Sequence, residues 1–118
     1  MNQKKLVKYA VPVVSGKLSM HFGHCEQFAV IEYDMTEKKI VSRNDHTPPP
    51  HEPGVLPRWL HELGADVIIA GGMGNRAQML FEQNGIKVVT GAMATDPEQL
   101  VRDFAGGVLE TGENMCSH

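Results

Sequence analysis

The sequence has few cysteines: Cys25 and Cys116, far apart in 118 residues. That scarcity excludes a disulfide-dense scaffold. Without a signal-like leader, the expected setting is a reducing cytoplasm with free thiols. The opening "MNQKKLVKYAVPVVSG" is basic, but its apolar stretch is short and broken by Lys8 and Pro12. It reads as a first strand, not an export signal. No apolar run approaches the roughly 18 residues of a membrane span. Net charge is −3, so there is no basic field to attract nucleic acid. Lys4, Lys5 and Lys8 form the one basic cluster and read as a solvated edge. What is present is ordinary for a globular domain, with 42% hydrophobic and 21% charged residues. The length fits a single domain over 1–118, with a core of about 6–109 and a polar, flexible tail. Such a chain buries about 65% of its unfolded surface and needs no metal to hold its core.

The pattern predicts β-β-β-α-β-α-β-α. Leu6 to Val14 is a compact apolar strand with Pro12 near its end. Ser15 to Gly23 reads as a loop. Phe28 to Tyr33 and Lys38 to Arg43 are strands around a turn at 34–37, giving an antiparallel meander. Asn44 to Gly54 holds four of the seven prolines and reads as a long, stiff connection. Leu56, Trp59, Leu60 and Leu63 make one helical stripe, with Pro57 in the first turn and Gly64 at the close. Asp66 to Ala70 is a buried strand. A helix from about Asn75 to Gln83 stops at Asn84-Gly85, and Ile86 to Thr90 is the fifth strand. Asp96 and Pro97 start a last helix whose stripe is Leu100, Val101 and Phe104. Strands separated by helices pair in parallel through right-handed crossovers. The expectation is therefore a mixed five-stranded α/β sheet covered by helices.

Four stretches can carry chemistry. "SMHFGHC" offers Met20, His21, His24 and Cys25, which suit copper or zinc. It lacks the four paired ligands of a closed zinc site. The competing reading is solvated histidines, a Phe22 that plugs the core and a Cys25 that acts as a small hydrophobe. "AGGMGNRAQML" is a strand end, a glycine turn and a helix start. Gly71, Gly72 and Gly74 let backbone approach a ligand, the N–H groups through Asn75 favour an anion, and Arg76 adds a cation. It is not a P-loop, since no Gly-Lys-Ser/Thr follows. It matches the alanine form of the dinucleotide fingerprint, although the expected acidic residue falls at Asp96, which reads as a helix cap. This leaves two alternatives: a small nucleotide- or phosphate-binding regulatory domain, or a tight turn with no ligand. "DHTPPPHEPG" places His46, His51 and Glu52 on a loop, as a lid or simply exposed. "TGAMATDPE" puts Gly91 to Ala94, Met93 among them, past a strand end.

In open α/β sheets ligands sit beyond the carboxyl ends of the parallel strands. The 20–24, 71–76 and 91–94 stretches all leave from that side. The pooled mouth is rich in glycine, methionine and histidine and poor in carboxylates. That excludes a two-metal nuclease, which needs clustered Asp and Glu. Cys25 beside His24 is a poor nucleophile–base pair, with no third group to orient it. Binding is expected here, not catalysis.

The run "AVPV…S…HFGHCEQF…Y", then "ADVIIAGGMGNRA…L…GIKVV", then a "D…L…F..G.L" helix, resembles the nitrogenase iron–molybdenum cofactor biosynthesis accessory family, its orange-protein branch in particular. The resemblance covers roughly Leu6 to Leu109 and rests on "HFG" and "GGMGNRA". It implies a ribonuclease-H-like fold and transient, non-covalent carriage of a metal–sulfide cluster, a mixed molybdenum–copper sulfide or another thiometallate. A protein partner for delivery is implied as well. Such a cluster brings its own sulfide ligands and is an anion, which explains why the chain supplies too few ligands of its own. Gly71 to Asn75 would give N–H donors and Arg76 charge. Met20, Phe22, Met73 and Met93 would form a polarizable wall around Gly23, and His21 and His24 would bond sulfides or touch copper. Cys25 is expected neutral or turned inward.

Overall fold

The computed structural model describes residues 6–18, 26–49, 54–92 and 96–107. Its elements are β1 (Leu6–Val14), β2 (Lys17–Leu18), β3 (Gln27–Asp34), β4 (Lys39–His46), α1 (Val55–Glu62), β5 (Val67–Ile69), α2 (Asn75–Gln83), β6 (Lys87–Val89) and α3 (Pro97–Ala105). The strands form one mixed sheet in the order β4-β3-β1-β5-β6, with β2 paired to β1 off that path. The five-strand path is the expected sheet, and β2 is an addition. Ser15 and Gly16, read above as loop, have φ of 54° and 80°. Two consecutive left-handed residues make the tight hairpin turn whose twist matches the flanking strands. Val13 then faces Leu18 and Val14 faces Lys17.

β1 is the centre of the sheet, antiparallel to β3 from Leu6↔Asp34 to Val13↔Gln27 and parallel to β5. Tyr9 to Val13 are buried one after another, which reflects burial on both faces. Tyr9, Val11 and Val13 pack with Ala29, Ile31 and Tyr33 against Leu100 and Val101 of α3. Ala10 and Phe28 face the other way, into a cluster with Leu56 and Leu60 of α1 and Phe81 of α2. Pro12 is tolerated in this central strand for a geometric reason. The Lys8 carbonyl accepts from the Asp66 N–H at 2.8 Å, so Lys8 turns its backbone polar groups toward β5. Pro12, four residues on, turns its nitrogen the same way, beyond the last registered pair with β5, Ala10↔Ile68. Among the described residues, no registered pair faces Pro12 on that side.

Two expectations are corrected. Lys8 is not on a solvated edge: it is half-buried, and its Nζ donates to the Leu63 carbonyl at 3.2 Å. A cation at the carboxyl end of α1 is favourably placed against the helix dipole. Lys4 and Lys5 lie outside the described residues. β4 also runs three residues further than predicted. Asn44, Asp45 and His46 pair with Val30, Ala29 and Phe28. Asn and Asp are poor strand formers, but pairing to β3 outweighs that local preference. Among the described residues, no helix is long and apolar enough to cross a membrane.

Tyr9 is buried, and its phenol is pushed above its ordinary pKa, first by burial and then by Tyr33 and Asp66 nearby. An acid whose folded pKa is raised stabilises the fold fully below its unfolded value of about 10, and that contribution is lost as pH rises through the folded pKa. Alkaline unfolding of the wild type is therefore expected to steepen above pH ~10. Tyr9→Phe should flatten that limb in a pH series of urea melts, and an unchanged limb would contradict the assignment.

Candidate functional site

β1, β5 and β6 run parallel, so their carboxyl ends share one edge of the sheet. β4 is antiparallel to β3 and β3 to β1, so β4 ends at that edge too. α2 and α3 follow β5 and β6 and begin there. α1 begins there as well, since its far end lies at Lys8, near the start of β1. The amino ends of all three helices therefore point to the same edge, and each contributes partial positive charge.

The turn from β5 to α2 is fixed from two sides. The Ala70 N–H donates to the Val89 carbonyl at 2.8 Å, and the Gly91 N–H donates to the Gly71 carbonyl at 2.8 Å. These bonds zip the turn to the chain leaving β6, with Gly91 at φ 83°, where a side chain would be strained. From the other side, Gln78 Nε2 donates to the Met73 carbonyl at 2.8 Å. Gly71, Gly72 and Gly74 are not among the glycines with positive φ. The turn therefore does not rest on positive φ at these three positions.

Gly71 and Gly72 are buried, and the chain reaches solvent at Gly74, Asn75 and Arg76. Gly74 is the N-cap of α2, with no side-chain capping bond and no acidic residue in the first turn. Arg76 is exposed, and among the described residues it pairs with no carboxylate. Amide donors and one cation at a helix start, with no competing acid, suit an anion.

Met73 corrects the expectation of an open wall. Its side chain is 0% exposed, packed in the cluster with Phe28, Leu60 and Phe81. A single methionine inside a glycine turn has no periodicity to betray its burial. Met20, His21, Phe22, Gly23, His24 and Met93 lie outside the described residues, as do Cys25, Cys116, His51 and Glu52. His46 is described, and it ends β4 instead of riding a loop. Its ring meets Trp59 edge-on at 6.3 Å, and Trp59 meets Phe28 at 5.8 Å. Among the described residues, no group of three or more His, Cys, Asp or Glu could hold a metal ion.

Sequence reasoning gave Asp96 as the cap of α3, and it stands at that position without a side-chain capping bond. Its carboxylate instead lies 3.9 Å from Arg43. Arg43 itself was missed, because nothing local links a strand arginine to a helix 50 or so residues later.

Comparison with known proteins narrows the reading. The profile of a family described as dinitrogenase iron-molybdenum cofactor matches residues 5–107. An uncharacterized protein of Methanocaldococcus jannaschii is 33% identical over 112 residues, covering 92% of this chain and 94% of that protein. The crystal structure of PH0822 superposes with a TM-score of 0.80 at 27% identity, over 89% of this chain and 94% of that one. The apo orange protein of Desulfovibrio gigas superposes at 0.70 with 21% identity, over 91% and 93% of the two chains, a likeness of fold.

Proposed function

Because the chain belongs to the dinitrogenase iron-molybdenum cofactor family, we propose that it binds an anionic metal–sulfide cluster as cargo, without turnover, at the shared edge of helix starts. The family and the orange-protein fold support metal-cluster binding or biosynthesis. The finer reading is a molybdenum–copper sulfide or another thiometallate, held non-covalently and passed to a protein partner. The observation that carries it is the start of α2: a glycine cap, an acid-free first turn and an exposed Arg76. In this reading Gly74 to Arg76 meet the cluster's sulfides. Gly71 and Gly72 keep the turn close-packed, and the Met73 side chain stays in the core. Met20, His21, Phe22, Gly23, His24 and Met93 supply the remaining wall, with His21 and His24 as copper contacts. Thioether and imidazole are fitting neighbours for copper.

The test is reconstitution of metal-free protein with tetrathiomolybdate and a copper salt, then gel filtration with metal and sulfur analysis. A coloured cluster co-eluting at fixed stoichiometry is the expected result. The same helix start also suits a phosphate. A colourless, metal-free peak together with saturable ATP or NAD binding would replace the cluster reading with a nucleotide one.

A further inference from the structure

Arg43 stands outside the glycine turn, on the face of the sheet that α3 covers. Its Nε and Nη2 donate to the two carboxylate oxygens of Asp45 at 2.9 and 3.1 Å. Nη1 donates to Glu98 at 3.2 Å and lies 3.9 Å from Asp96. One guanidinium thus gathers three carboxylates. Two of them, Asp96 and Glu98, are the cap and the first-turn acid of α3. The side chain is only 23% exposed, so these contacts are screened less than a surface pair. Hydrogen bonding, to Asp45 first and then to Glu98, holds its pKa above the ordinary arginine value against burial, which lowers it.

The placement matters because α3 begins at the same edge as α2. α2 has an acid-free first turn, whereas α3 has Asp96 and Glu98 at its start. Unneutralised, those carboxylates would oppose an anion approaching that edge. Arg102 lies 3.5 Å from Glu98, but it is half exposed and does not reach the Asp96 side of the cluster in the described contacts. We infer that Arg43 is a positioning residue for the anion site: it offsets part of the negative charge at the start of α3 and so lowers the repulsion that negatively charged cargo meets at the shared edge. The inference rests on the cluster-binding reading above.

Direct titration of the protein with tetrathiomolybdate at low and high salt tests it, with thermal melts as a fold control. Arg43→Gln is expected to weaken binding roughly three- to tenfold at low ionic strength, with the difference shrinking at about 1 M salt as the charges are screened. Adding Asp96→Asn and Glu98→Gln to that variant should restore at least wild-type affinity, since of the three carboxylates only Asp45 then remains. A merely structural strut would not be rescued by removing its partners. Equal affinity of Arg43→Gln and wild type at low salt overturns the inference, and so does a loss that the triple variant does not recover. Absence of binding by the wild type overturns the cluster reading itself, and the inference with it.

Discussion

Replacing Phe81 with alanine is expected to remove about 3–5 kcal/mol of folding stability, out of a total near 5–15 kcal/mol for a domain of this size. Phe81 is 0% exposed and is the one fully buried side chain of α2. Ala77 and Leu80 on the same helix are only half-buried. Truncation therefore both leaves a cavity beside Ile68 and Ile86 and takes away the main apolar attachment of α2 to the sheet. Urea melts should show the midpoint fall while the slope stays near wild type. The consequence reaches the proposed anion site, because the main-chain N–H groups at Gly74 to Arg76 are aimed by the helix they begin. Tetrathiomolybdate binding should weaken with the fold. A variant that lost less than about 1 kcal/mol would mean that α2 is held by something other than this ring.

The second large effect is on binding alone. Arg76→Glu should weaken tetrathiomolybdate binding by roughly 10- to 100-fold, since it replaces an attraction with a repulsion at the start of a helix. Arg76 is exposed and pairs with no carboxylate among the described residues, so the melt should stay within about 0.5 kcal/mol of wild type. High salt should narrow the gap between the two proteins. Unchanged affinity at low salt would remove α2 from the site.

These two residues also show what was legible in the sequence. α2 was predicted over Asn75 to Gln83 and occupies Asn75–Gln83, because a glycine turn precedes it and Asn84-Gly85 stops it. Asn84 closes the helix by donating from Nδ2 to the Leu80 carbonyl at 2.8 Å. β1 and the Asp96-Pro97 start of α3 were equally plain, since each carries its own signal. What stayed hidden depends on distant chain. β2 has two residues, too few for a period, and exists only because a tight turn folds it onto β1. The end of β4 is polar and becomes strand through β3. Lys8 becomes a helix-end partner only when β1 meets α1, and Met73 becomes core only when α1 and α2 close over the sheet. The glycine turn was found as a site candidate from composition. That Gly71, Gly72 and Gly74 take no positive φ needed the coordinates.

The donors proposed for the anion at the start of α2 belong to the main chain, and Gly74 contributes no side chain to them. Most substitutions leave a peptide N–H where it was, so this half of the site is hard to mutate away. The selectivity for one cargo over another would then lie with flanking side chains, which are free to drift. On the proposed reading, a lineage keeps the grip and exchanges the cargo, so a shared fold does not by itself fix which cargo is held.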